Sequence, residues 1–529
     1  VTVPRARVTY RAVHDPSLTS SSPAARRVTA ARGPSVLYTG EDGHLYTTED
    51  QGRHTRRLSW KNEDFSMIPG MPALPGSAGD LEDDWHFAHP TPSPDGTRVA
   101  AFGLLPATEE ELLELEEDDE FETVEELAEV FDAIEGLTDA EDSGEFEEPL
   151  WVPTDGDEDD VAGPGLLPVS LPEGEIVAVP VGAVVEPDDP TETTYWPGAR
   201  VYVMHRDGVR VWEAWGFDDG GPIHLDWSPD GEHVLVLHQA GETLDLHLLD
   251  PAEEEPRHIA SGAPLFWAWQ PNGPRLALRV VEPGASAPVL QIARPLEDVP
   301  VRTVDEAGSF YAPSWHPSGS SFVYGAAGER EDRIVLAAPD GHALSELIGY
   351  PGRAAFLWSP DGQRLAVPIS PEGTGAFLAL EILDIDRGTS KTVYQEPFLA
   401  MAWLPEGRGW LLCAADAASG RLRWVRVDEQ GAGRPVGPAF SPSQETLVSL
   451  HFFDQVTRGR SFLAPDGSAV VWAGRPSDPV VSATSALAAD AREDVPRILL
   501  SPLDGGPTMA VGTGRYACFP SGPGTHAES

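Results

Sequence analysis

The chain of 529 residues is poor in three things: cysteine, basic residues and long apolar runs. Its two cysteines, Cys413 and Cys518, cannot build a disulfide framework, and no Cys-x-x-Cys pair offers a zinc or redox site. Lys and Arg total 36 against 86 Asp and Glu, a formal charge of −50, which repels phosphate backbones and anionic lipid surfaces. Nucleic-acid and membrane partners are therefore not expected. No run of about 18 apolar residues could cross a bilayer, while 41% apolar residues suffice for a real core. Val1–Arg7 leads into a polar stretch without the apolar region of a secretory signal, so the expectation is a cytoplasmic protein. An exported, processed chain is the alternative.

Catalytic signatures are also missing. Gly-x-Ser-x-Gly, His-Glu-x-x-His, a phosphate-cradling Gly-x-x-x-x-Gly-Lys-Ser/Thr loop and a dinucleotide fingerprint do not occur. The expectation is a protein that is not an enzyme and carries no cofactor.

A repeat is present. Trp227-Ser228-Pro229-Asp230-Gly231 recurs as Trp269-Gln270-Pro271-Asn272-Gly273, Trp315-His316-Pro317-Ser318-Gly319, Trp358-Ser359-Pro360-Asp361-Gly362 and Trp403-Leu404-Pro405-Glu406-Gly407. The steps between copies are 42, 46, 43 and 45 residues, and weaker copies stand at Pro92–Gly96 and Leu463–Gly467. Pro presets φ in a turn, and Asp, Asn and Gly accept the conformations that reverse the chain. Each copy thus predicts a hairpin, and two further strand-like pieces follow each one. Four strands in roughly 45 residues is the quantum of a β-propeller blade. These repeats resemble those of the TolB-like β-propeller family. The resemblance implies an all-β propeller of bacterial origin whose relatives are commonly protein-binding components of larger assemblies. It also extends to the gate domain of prolyl-oligopeptidase enzymes, which carry a catalytic triad on a separate domain, for which the repeats leave no room.

Seven motifs plus one composite blade predict eight blades, with seven as the alternative, because the interval from Glu406 to Asp466 has room for an irregular element. The composite blade joins a C-terminal strand around Tyr516–Phe519 to N-terminal strands at 35–39, 45–48 and 56–58 and leaves no open edge. The expected domains are an extension over 1–34 and one propeller over 35–529, with an acidic insertion over 103–197 in the first full blade.

That insertion carries 26 of the 86 acidic residues between Glu109 and Asp160 and no Lys or Arg. Thr108 with Glu111 and Thr123 with Glu126 are capping-box pairs. Val124, Leu127, Phe131 and Ile134 follow at helical spacing, so an amphipathic acidic helix is expected. Its stripe either packs on the propeller rim or anchors a basic protein partner, with the charges as docking arm. Residues 139–150 place Gly144 where a calcium loop needs it, but Leu150 stands where the bidentate Glu belongs, leaving weak attraction of divalent cations. Recurrent tryptophans at one position in each repeat predict packing between blades rather than an aromatic cage. Residues that belong to one blade alone are better binding candidates, namely Asp226, Trp267 and His316. The expected function is a monomeric, non-enzymatic scaffold that offers loops, a central funnel and an acidic arm to a protein or peptide partner. A hydrolase, lyase or small-ligand sensor with its site in the funnel is the alternative.

Overall fold

A computed structural model describes residues 35–49, 51–59, 86–104, 199–206, 211–217 and most of 221–520, with the backbone of strands at 166–170 and 176–180. Turn chemistry organises it. At the second motif Gly231 sits at φ 71° and its N–H donates to Ser228 O at 2.8 Å. Ser228 Oγ donates to Asp230 Oδ1, which also accepts from Glu232 N at 3.0 Å, while Ser228 Oγ accepts from His233 N. A local network therefore fixes the reversal before any long-range pairing forms. The same network recurs at Ser93–Gly96 and Ser359–Gly362. The Asp95 carboxyl accepts three such bonds and is held down at about 2.

The first five reversals each join two strands of a separate antiparallel sheet with the up-and-down, four-stranded order of a propeller blade. The first combines His86–Pro92, Arg98–Leu104, Ala199–His205 and Val211–Phe217. Arg98–Leu104 pairs directly with Ala199–His205, so residues 105–198 are inserted between two neighbouring strands. The second comprises Pro222–Trp227, Val234–Ala240, Thr243–Leu249 and Arg257–Gly262. Leu265–Glu306 forms the third, Ser314–Tyr350 the fourth and Arg353–Tyr394 the fifth, whose first strand is split. The remaining strands form one continuous ladder from Phe398 through Pro520 that ends on Val36–Gly40, Leu45–Glu49 and His54–Arg57. Met509–Pro520 spans twelve residues and pairs with four strands: Thr513 pairs with Arg497 and Cys518 with Leu37, while the short strands Arg460–Ser461 and Val481–Ser482 pair with its two ends. The third N-terminal strand lies at His54–Arg57, slightly ahead of the expected 56–58, because Thr48 pairs with Thr55.

Inner strands are buried on both faces, as Leu276–Val280 is along its whole length with only Arg279 charged, since each sheet is covered by its neighbours on either side. Outer strands such as Arg302–Glu306 are largely exposed. The motif tryptophans stitch sheet to sheet. Indole Nε1 of Trp227 donates to Thr91 O, Trp315 to Ala268 O, Trp358 to Ser314 O and Trp403 to Leu357 O, at 2.8–3.0 Å. The packing role expected of these rings is the one they have. Turns are linked as well: Arg98 and Arg364 donate to the carbonyls of Gly231 and Gly407, and Gln270 donates to Gly319 O.

Candidate functional site

The interval between the motifs at Trp403–Gly407 and Leu463–Gly467 holds two short helices, α1 (Gln444–His451) and α2 (Phe453–Val456). Ser443 caps α1, its Oγ accepting from Thr446 N at 3.3 Å, and Glu445 lies in the first turn, where the helix dipole favours an anion. Leu447, Leu450, Phe453 and Val456 recur every third residue and are buried. Leu450 and Phe453 join a core with Phe377, Phe398, Phe440 and Trp472, and the rings of Phe377 and Phe453 meet edge-on at 5.7 Å.

The segment that follows α1 reaches the first strands of four consecutive sheets through buried polar contacts. Gln455 Oε1 accepts from Trp267 N at 2.9 Å, and Asp454 Oδ2 accepts from Ala312 N at 3.0 Å. Arg458 donates to Pro313 O at 2.6 Å and to Asp454 O at 2.8 Å. Arg460, 1% exposed, donates to Nδ1 of His224 at 2.6 Å and to Nδ1 of His89 at 3.2 Å, with its guanidinium over the Tyr516 ring. Both imidazoles must offer a lone pair to Arg460, so both are neutral. Burial, reinforced by the Arg460 charge, pushes His89 down to about 3 and His224 well below its ordinary value. The carboxylates respond oppositely, burial raising Asp226 and Asp454 each to about 6 despite the nearby arginines. Hydrogen bonds to charged groups contribute roughly 1.5–3 kcal/mol each, so this set fixes where the segment docks. Asp226 keeps part of its surface exposed and Arg458 is exposed.

Of the residues singled out in the sequence, Asp226 and Trp267 come together: Trp267 Nε1 donates to Asp226 Oδ2 at 3.0 Å. Trp269, two residues on, is the motif tryptophan whose buried Nε1 has no partner among the described residues. His316 lies elsewhere, in its turn. Its Nδ1 is 2.7 Å from Ser318 Oγ and its Nε2 3.2 Å from Gly362 O, so it fills the place of Ser228 and links two turns. Val124, Leu127, Phe131 and Ile134 lie outside the described residues. Sequence reasoning missed Asp454, Gln455, Arg458 and Arg460; the long interval before Asp466 was the signal for them. Among the described residues no three His, Cys, Asp or Glu side chains are grouped so as to hold a metal ion. Among the described residues no helix is long and apolar enough to cross a membrane.

No protein-family model matches the chain, and neither does any curated protein. Solved structures similar to it include TolB from Acinetobacter baumannii, 14% identical over 50% of this chain and 72% of that one, with a TM-score of 0.33. A putative TolB from Agrobacterium tumefaciens is 14% identical over 59% and 87%, TM-score 0.30. Oligogalacturonate lyase from Vibrio parahaemolyticus is 11% identical over 58% and 83%, TM-score 0.38.

Proposed function

We propose that the chain is an eight-bladed β-propeller that works as a non-enzymatic interaction scaffold, presenting its rim and its acidic insertion to a basic protein partner. The count of eight comes from dividing the long ladder into three blades, the last being Tyr516–Pro520 with the three N-terminal strands. Two contacts support a closed ring: Leu37 pairs with Cys518, and the Met509–Pro520 strand also lies against His86–Pro92 of the first sheet.

One observation carries the scaffold reading. The chain's own segment 452–460 is hydrogen-bonded to Trp267 N, Ala312 N and Pro313 O, close to Asp226 and Trp267 where a funnel site would be sought, which favours a plugged funnel over an open one. Partners are then met on the rim, the outer edges and the insertion. The charge between Glu109 and Asp160 suits a basic surface, steering its approach in a salt-dependent way. A cytoplasmic, monomeric protein without a cofactor accords with this reading.

Affinity capture from the host lysate tests it, with the intact chain and a version lacking 109–160 at low and high salt. Retention of one discrete protein by the intact chain at low salt alone supports the scaffold. Equal retention by both versions removes the arm from the reading, and no retention by either removes the scaffold.

A further inference from the structure

An arginine pair stands beside the start of the docked segment. The lead-in to the fourth sheet, Gly308–Tyr311, is straddled by Arg279 from the third sheet and Arg353 from the fifth. Arg279 is 9% exposed; its Nε donates to Gly308 O at 3.1 Å and its guanidinium lies 5.3 Å from the Phe310 ring centre. Arg353 is half-buried, 5.2 Å from the Tyr311 ring centre, and its Nη1 donates to the Tyr311 hydroxyl at 3.4 Å.

Each arginine has five N–H donors in a planar fork, and each uses only one on another described residue. Neither has a carboxylate within ion-pair distance among the described residues. The carboxylate that acts on Arg279 is that of Asp332, whose two oxygens accept from Ser309 N and Gly328 N. Burial and the neighbouring Arg353 charge bring Arg279 down to about 10, so it remains charged at neutral pH. Among the described residues neither of these two neighbouring cations has an ion-pair partner, although the Asp332 carboxylate acts on Arg279 from farther off. Burying one of a pair of like charges is costly unless a third, opposite charge completes it.

The surroundings narrow the missing anion. Phe266, Tyr311 and Phe452 form an aromatic edge beside the pair: Phe266 lies 5.8 Å from Tyr311 and 6.0 Å from Phe452. Phe266 and Phe452 keep part of their surface exposed. His451, buried, 5.9 Å from Tyr311 and pushed down to about 4 by burial and Arg353, adds no charge at neutral pH.

We propose that Arg279 and Arg353 form a binding site for a carboxylate carried next to an aromatic group, the carboxylate taken by the two guanidinium forks and the ring by Phe266 and Phe452. Bidentate Arg–carboxylate recognition is the geometry for which free forks are suited. The carboxylate belongs either to a small aryl acid or to the C-terminus of a peptide ending in an aromatic residue.

Calorimetric titration of the whole chain tests the site with two probes, 3-phenylpropionate and N-acetyl-Ala-Phe with a free C-terminus, each beside its amide. Both acids are expected to bind, both amides at least tenfold more weakly, and Arg353→Gln to weaken the acids at least tenfold. Arg408→Gln, on an exposed turn, should leave them unchanged. A peptide tenfold tighter than the small acid assigns the source to a chain terminus, and the reverse assigns it to a free acid. Equal binding of acid and amide, no acid binding below about 10 mM, or an undiminished Arg353→Gln overturns the proposal. The acid-against-amide comparison uses the unaltered chain and stands even if the variant fails to fold.

Discussion

Single residues carry more than packing here. Gly362 lies at φ 71°, and a Cβ there would meet His316 Nε2 at 2.2 Å, so both backbone and neighbour oppose a side chain. Gly362→Ala should cost about 1–3 kcal/mol in urea unfolding, and a loss under half of that would deny His316 its turn-linking role. Asp454 gives a pH signature. Its folded value of about 6 lies above the ordinary carboxylate range, so the stability it contributes is full below about pH 4 and lost as pH rises through 6. Asp454→Asn should therefore be more stable than the native chain at pH 8, by about 3 kcal/mol, with the difference closing by pH 4. His89, held down at about 3, acts in the opposite sense, its contribution being lost as pH falls. For that reason the difference between variant and native chain is the quantity to follow. A difference independent of pH would show that Asp454 is not the titrating group.

Among the elements, the hairpins were legible in the sequence because their information is local. Pro, Asp and Gly at fixed places specify each turn, and Trp at its head specifies the seam to the neighbouring sheet. Asp226 and Trp267 were legible as departures from the repeat, and they hydrogen-bond to each other, whereas the buried Trp269 indole has no partner among the described residues. His316 was less so: it occupies the repeat place of Ser228, and a residue in that place belongs to the turn. The helical segment escaped notice although Ser443, Leu447, Leu450 and Phe453 spell a capped amphipathic turn. Its position depends on pairings such as Gln455 with Trp267, 188 residues apart, which no local pattern contains. Truncating its core should be expensive. Phe453→Ala is expected to cost about 3–5 kcal/mol, read by chemical denaturation, together with loss of amide-exchange protection over 444–456. Loss of that protection with global stability unchanged would mean the segment is an appendage rather than part of the core.

At the scale of the whole molecule, two arrangements of charge set expectations. The acidic residues between 109 and 160 lie in a stretch inserted between two paired strands, so their removal leaves Arg98–Leu104 free to pair with Ala199–His205. Deleting 109–160 should change the unfolding midpoint little, and a large fall would place the insertion within the core. The pairing of Leu37 with Cys518 ties the two ends of the described chain. Removing residues 1–59 should expose the Tyr516–Pro520 edge and promote association, seen as concentration-dependent light scattering; an unchanged monomer would deny the closure. Calorimetric titration of the captured partner against the intact chain and the chain lacking 109–160, at two salt concentrations, bears on the scaffold itself. Affinity should fall at least tenfold on deletion and fall with salt only when the arm is present. Equal affinity for the two chains at both salt concentrations would contradict an acidic docking arm.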